Sequence, residues 1–129
     1  MSAGEEDLSA LLRGLAPVLD PLDYVFITGT ADQEAHYTEP FAVVREREGL
    51  TYIVAADTKA DVPRMRRIEL TVHSSLAAVG LTAAVATALT AHNISANVVA
   101  AFYHDHIFVA AADAERALKV LQDLSAEAR

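Results

Sequence analysis

Over residues 68–109 the apolar period changes from two to roughly 3.6 and back to two, and few folds accommodate that order. Ile68, Leu70 and Val72 alternate with Glu69, Thr71 and His73, which predicts a strand with one buried and one polar face. Leu81, Val85 and Leu89 then share one side of a helix that starts at Ser75 or Val79 and ends at Ala91. The opposite side carries the small residues Ala83, Ala86, Thr87 and Thr90. Asn93 stands where a left-handed, helix-ending residue is wanted. Residues 96–103 read as a strand and 106–109 as its hairpin mate, across a turn at His104 and Asp105. Asp113 then caps a closing helix that buries Ala114, Ala117, Leu118, Leu121 and Leu124. The order is βαββα, one strand short of the βαββαβ plan, and a strand from upstream could fill the gap.

Upstream, Leu8, Leu11, Leu12 and Leu15 form a short helical stripe. Glu5, Glu6 and Asp7 lie where the positive end of its dipole favours carboxylates. Gly14 weakens the helix end, and Pro17 and Pro21 bar its continuation. Such a short helix persists only when docked. Residues 24–28 predict a strand covered on both faces, followed by a polar, turn-like stretch at 29–39. Strands at 41–45 and 50–54 flank a four-residue hairpin connection that ends at Gly49. Residues 57–62 fit one helical turn capped by Asp57, and Pro63 closes it. The expected organisation is therefore two halves, 1–63 as αβββ and 64–129 as βαββα.

Composition narrows the function. Hydrophobic residues make up 53% of the 129, enough to bury a core. The chain has no cysteine, which excludes disulfides, thiolate metal ligands and cysteine nucleophiles. Its N-terminus is acidic where a secretory signal would be basic, so no signal is expected. The apolar run at 76–91 is interrupted by Gly80, Thr82, Thr87 and Thr90, and is shorter than the roughly 20 residues a membrane span needs. The expectation is a soluble, cytoplasmic protein with no membrane partner. With 18 acidic and 10 basic residues the net charge is −8, which repels phosphate backbones and argues against nucleic acid. The basic knot Arg64, Arg66 and Arg67 reads as a solvated strand entrance.

Three chemistries can be weighed from residue types. His73, His104 and His106 with Asp105 offer metal-ligating groups, but a turn at His104 and Asp105 separates the last two histidines. Ser74 adjoins His73, yet neighbours on a strand point to opposite faces, so they make a poor nucleophile and base. There is no glycine-rich phosphate loop. No catalytic residue, metal or cofactor is expected. What remains is a binding geometry: Gly80 permits close backbone approach, and the helix N-terminus beside it offers N–H groups to a carboxylate. Asn97 adds an amide donor and acceptor, which suits the two charged groups of an amino acid.

The segments V-G-L-T-A-A-V-A-T-A-L, H-N-I-S-A-N-V-V and Y-H-D-H-I-F-V resemble an ACT domain, the small-molecule-sensing module of amino-acid metabolism. Y-V-F-I-T, V-V-R-E-R-E-G-L-T and A-D-V resemble the other half of small stand-alone bacterial proteins with two ACT-like halves. Asn93 departs from the glycine usual at that place in the family. The resemblance implies an α+β, ferredoxin-like sandwich with an antiparallel sheet and helices on one face, two ACT-like halves packed together. It further implies a regulatory, non-enzymatic homodimer that binds an amino acid. The ligand would lie between the Gly80 loop of one module and the facing strand of another. Carried onto this chain, that nominates Ser74, Ser75, Val79, Gly80, Leu81, Asn97 and Val98. The alternative expectation is an interaction module that pairs through its sheet edge or small-residue helix face without ligand.

Overall fold

Leu11 of the first helix and Leu15 just beyond it are fully buried in the same core as Ile68, Leu70, Leu81, Val85 and Leu89. The structure, a computed structural model, describes residues 4, 7–29, 39–56 and 61–128. The expected roles of Glu5, Glu6 and Asp57 and most of the polar stretch at 29–39 lie outside the described residues. The elements in order are α1 (Leu8–Arg13), β1 (Pro17–Gly29), β2 (Ala42–Arg45), β3 (Leu50–Ala55), β4 (Met65–Leu70), α2 (Leu81–Ala91), β5 (Asn97–Ala100), β6 (Asp105–Ala110) and α3 (Ala114–Glu127). They follow the expected αβββ and βαββα orders. The chain forms two compact units, Met1–Pro21 with Arg66–Arg129, and Leu22–Met65.

In the larger unit the strands run β1-β4-β6-β5, so the start of β1 fills the place left open by βαββα. Pro17 and Pro21, which end the helical pattern, are therefore strand residues. Alternation sorts the two faces of the sheet. Ile68, Leu70, Ile107 and Val109 join the core with Ala114, Ala117, Val120 and Leu121 of α3. Leu118 and Leu124, expected inside, are half-buried at its margin. Asp7 caps α1 by accepting from the Ala10 N–H at 3.1 Å. Asn93 takes the expected left-handed conformation, with φ of 58°.

The smaller unit is an antiparallel set in the order β2-β3-β1. Val25, Leu50, Tyr52 and Val54 form its core. The β2–β3 connection is closed by reciprocal hydrogen bonds between Glu46 and Gly49, at the four residues anticipated. The strand expected to be covered on both faces is not: Phe26 and Thr28 are exposed while Tyr24 and Val25 are buried.

Candidate functional site

Residues 71–80 carry the chain from β4 to α2, and Gly80 sets the helix start with a φ of 102°. That left-handed conformation is one that a residue with a side chain adopts only under strain. No side chain caps α2, so its first N–H groups have no acceptor from a capping residue. Ser75 Oγ instead accepts from the Ala77 N–H at 3.0 Å, which tightens the loop itself. Ser74 and Ser75 are both buried.

The β5–β6 hairpin stands beside this loop. Its turn spans 101–104, earlier than expected, with the Ala101 N–H bonded to the His104 carbonyl at 3.1 Å. His104 Nδ1 donates to the Val72 carbonyl at 3.5 Å, and Ser74 Oγ donates to the Asp105 carboxylate at 3.4 Å. The His73 ring lies 5.6 Å from that of Tyr103 and 6.1 Å from that of Phe102. Burial pushes the Asp105 carboxyl above its ordinary range, partly offset by the Ser74 hydrogen bond and by His104. Because the turn comes early, His104 ends the turn and His106 lies within β6, each with a different partner. Among the described residues no group of three or more His, Asp or Glu is placed to hold a metal.

The nominated ligand residues separate into three sets. Ser74, Ser75 and Gly80 are together in the loop, and Val79 beside them is 84% exposed. Leu81 lends the loop only its backbone, because its side chain is committed to the core. Asn97 and Val98 open β5, at the end away from the hairpin that touches the loop. Asn97 pairs with Phe108, and its Nδ2 donates to the Phe108 carbonyl at 3.3 Å. Within one chain Asn97 is thus not brought to Gly80.

The space expected above Gly80 is occupied by the chain itself. A β-carbon built on Gly80 would lie 3.1 Å from Leu8 Cδ2. Gly4 lies against the same loop: a β-carbon there would meet the backbone of Ser74 and Ser75 at 2.8 Å and of His73 at 2.9 Å. The leucine stripe in the sequence announces that α1 docks, but no local signal says where. Open concavities lie elsewhere: a depression of about 270 Å³ lined by Thr90, Asn93, Ile94 and Ser95, and a groove of about 360 Å³ where Ala88, Ala91 and His92 face Val120 and Leu124.

The far face of the sheet carries charge. Arg67 bonds Asp20 through Nη2, and its Nη1 reaches Glu69 at 3.3 Å and His106 Nδ1 at 2.9 Å. Arg66 donates to the Asp20 carbonyl at 2.8 Å. The arginines are half-buried structural ties rather than a solvated strand entrance. A guanidinium has no acceptor, so His106 Nδ1 must accept and the neutral ring carries its proton on Nε2. Burial and the Arg67 charge both hold the His106 pKa below its ordinary value.

Comparison with known proteins agrees with this architecture. Models of the ACT domain match residues 3–66 and 65–123. A crystal structure of a Vibrio cholerae protein of unknown function, described as a possible transport protein, is 45% identical. The match covers 92% of this chain and 95% of that one, with a TM-score of 0.79. The ligand-free regulatory subunit of aspartate kinase from Thermus thermophilus is similar in fold at 9% identity, with a TM-score of 0.63 over 86% of this chain and 97% of that one. Aspartokinase III of E. coli, in complex with aspartate and ADP, is similar at 12% identity and a TM-score of 0.65, over 87% of this chain and 33% of that one. Among curated proteins, none matches the chain.

Proposed function

The chain belongs to the ACT-domain family, with two ACT-like halves, and on that premise we propose that it is a regulatory module that binds an amino acid at the Gly80 loop. The halves are 1–63 and 64–129 in sequence, and the protein works in the cytoplasm as a homodimer without catalysis. No helix of the described residues is long and apolar enough to cross a membrane.

One observation carries the reading. The first N–H groups of α2 lack a side-chain cap and follow directly on the loop of the buried Ser74 and Ser75. A carboxylate is the group that such a helix start accommodates best. Ser74, Ser75, Val79, Gly80 and Leu81 supply this half of the site. Asn97 and Val98 lie on an edge strand away from their own Gly80, so they serve the site from a second copy. The regulatory subunit of an aspartate kinase, and an aspartokinase in complex with aspartate, share the fold, which supports an amino acid as the ligand class.

Thermal melting with each of the twenty amino acids in turn tests the proposal. A ligand at about 100 times its dissociation constant stabilises the native state by about 2.7 kcal/mol. If no amino acid moves the melting point, the ligand reading falls. The β5 edge of the sheet, half-exposed, and the groove between α2 and α3 would then favour the alternative, a module that pairs with another chain without ligand. In that case sedimentation shows a dimer whose strength is unchanged by amino acids.

A further inference from the structure

The loop that the proposed ligand must reach is covered by residues that precede it by about seventy positions in the chain. Gly4 adopts a φ of 93° and lies backbone to backbone on Ser74 and Ser75, closer than any side chain would allow. Leu8 lies over Gly80, within 3.1 Å of the point where a β-carbon would stand. Ser74 and Ser75, which Gly4 touches, are buried, which is unusual for a connecting loop. We infer that Gly4 and Leu8 hold the Gly80 loop closed, and that they must give way before a ligand carboxylate reaches the first N–H groups of α2. The inference rests on the amino-acid reading above and supplies its regulation.

Two features make the cover displaceable. The Leu8 side chain, which packs over Gly80, is apolar and offers no acceptor to an N–H group, whereas a carboxylate does. The helix that carries Leu8 is six residues long and is anchored at its other end by the fully buried Leu11 and Leu15. Its first turn is half-buried, so it can open without removing the anchor from the core. A site closed in this way binds with an affinity reduced by the fraction of time it is open.

The test uses the full chain as wild type, G4A and L8A. At position 4 alanine meets both the positive φ and three backbone atoms, so G4A expels residue 4 from the loop. L8A keeps Gly4 in place and empties the space above Gly80. Two readouts are taken: amide hydrogen exchange over residues 74–80 without ligand, and calorimetric titration with each of the twenty amino acids. The expected result is exchange about tenfold faster in G4A, and about tenfold tighter binding of the same amino acid by both variants. Unchanged exchange in G4A, alongside ordinary binding by wild type, overturns the cover and leaves the amino-acid reading standing. Faster exchange with equal or weaker binding shows that Gly4 and Leu8 belong to the site rather than blocking it, and also overturns the inference. Faster exchange with no amino acid bound by any form removes the amino-acid reading and the gate together.

Discussion

Arg67 on β4 pairs with Asp20 on β1, and this ion pair ties the upstream strand into the fourth place of the larger unit's sheet. Both side chains are largely sheltered, at 14% and 16% exposure, and Arg67 is bonded as well to Glu69 and His106. Truncating Asp20 leaves a sheltered guanidinium short of its closest partner. D20A is expected to destabilise the protein by about 2 kcal/mol in urea unfolding, near the value for a hydrogen bond to a charged group. The paired replacement D20A with R67M is expected to cost less than the sum of the two single changes. Additive single effects would show that the pair contributes nothing by itself.

His106 and Asp105 are neighbours that give stability opposite slopes with pH. The His106 pKa is held below its ordinary 6.5, so the unfolded chain binds more protons in the window just beneath that value. Stability is therefore lost as pH falls from 6.5 through the lowered native value, when protonation of Nδ1 ends its bond from Arg67. The Asp105 pKa is raised above 3.8, so the native state binds more protons there, and stability is lost as pH rises from 3.8 through the raised value. Chemical denaturation across that pH range is expected to show H106Q flattening the upper slope and D105N the lower one. An unaltered profile in H106Q would mean that another group carries the upper slope.

The larger unit draws on both ends of the chain. A fragment of residues 66–129 lacks Leu11, Leu15 and the fourth strand, although the sequence pattern of βαββα is complete within it. Each buried leucine is worth about 2 kcal/mol of burial, and the open sheet edge adds unpaired backbone groups. The fragment alone is expected to melt without a cooperative transition. A peptide of residues 1–21 added in trans should restore one, as followed by circular dichroism. A sharp transition in the isolated fragment would show that α1 and the start of β1 are dispensable.

The elements were legible where one face is buried and the period is unbroken. Ile68 with Leu70, and Leu81 with Val85 and Leu89, carry their strand and helix in the order of side chains alone, because backbone geometry imposes those periods. The missing strand of βαββα was legible as a vacancy, and its occupant was not. The start of β1 reads locally as a proline-marked break after a helix, and only its neighbour β4 makes it a strand. The turn at 101–104 is hidden in the local pattern because Phe102 and Tyr103 have strand-like side chains, yet both are exposed beside His73.

For the candidate site the division is similar. Gly80 was identifiable by itself, since a glycine before a helical pattern marks a place where the backbone needs freedom. By local pattern the sequence determined the element order, the core faces, the hairpin at 46–49 and the Gly80 loop. Only the tertiary structure decided that β1 completes the sheet, that Asn97 stands at the far end of β5, and that Leu8 lies over Gly80. The physical reason is range. Periodicity and turn chemistry act over a few residues, whereas these contacts join positions tens of residues apart, and they are chosen by burial of the whole core rather than by any segment's own preference.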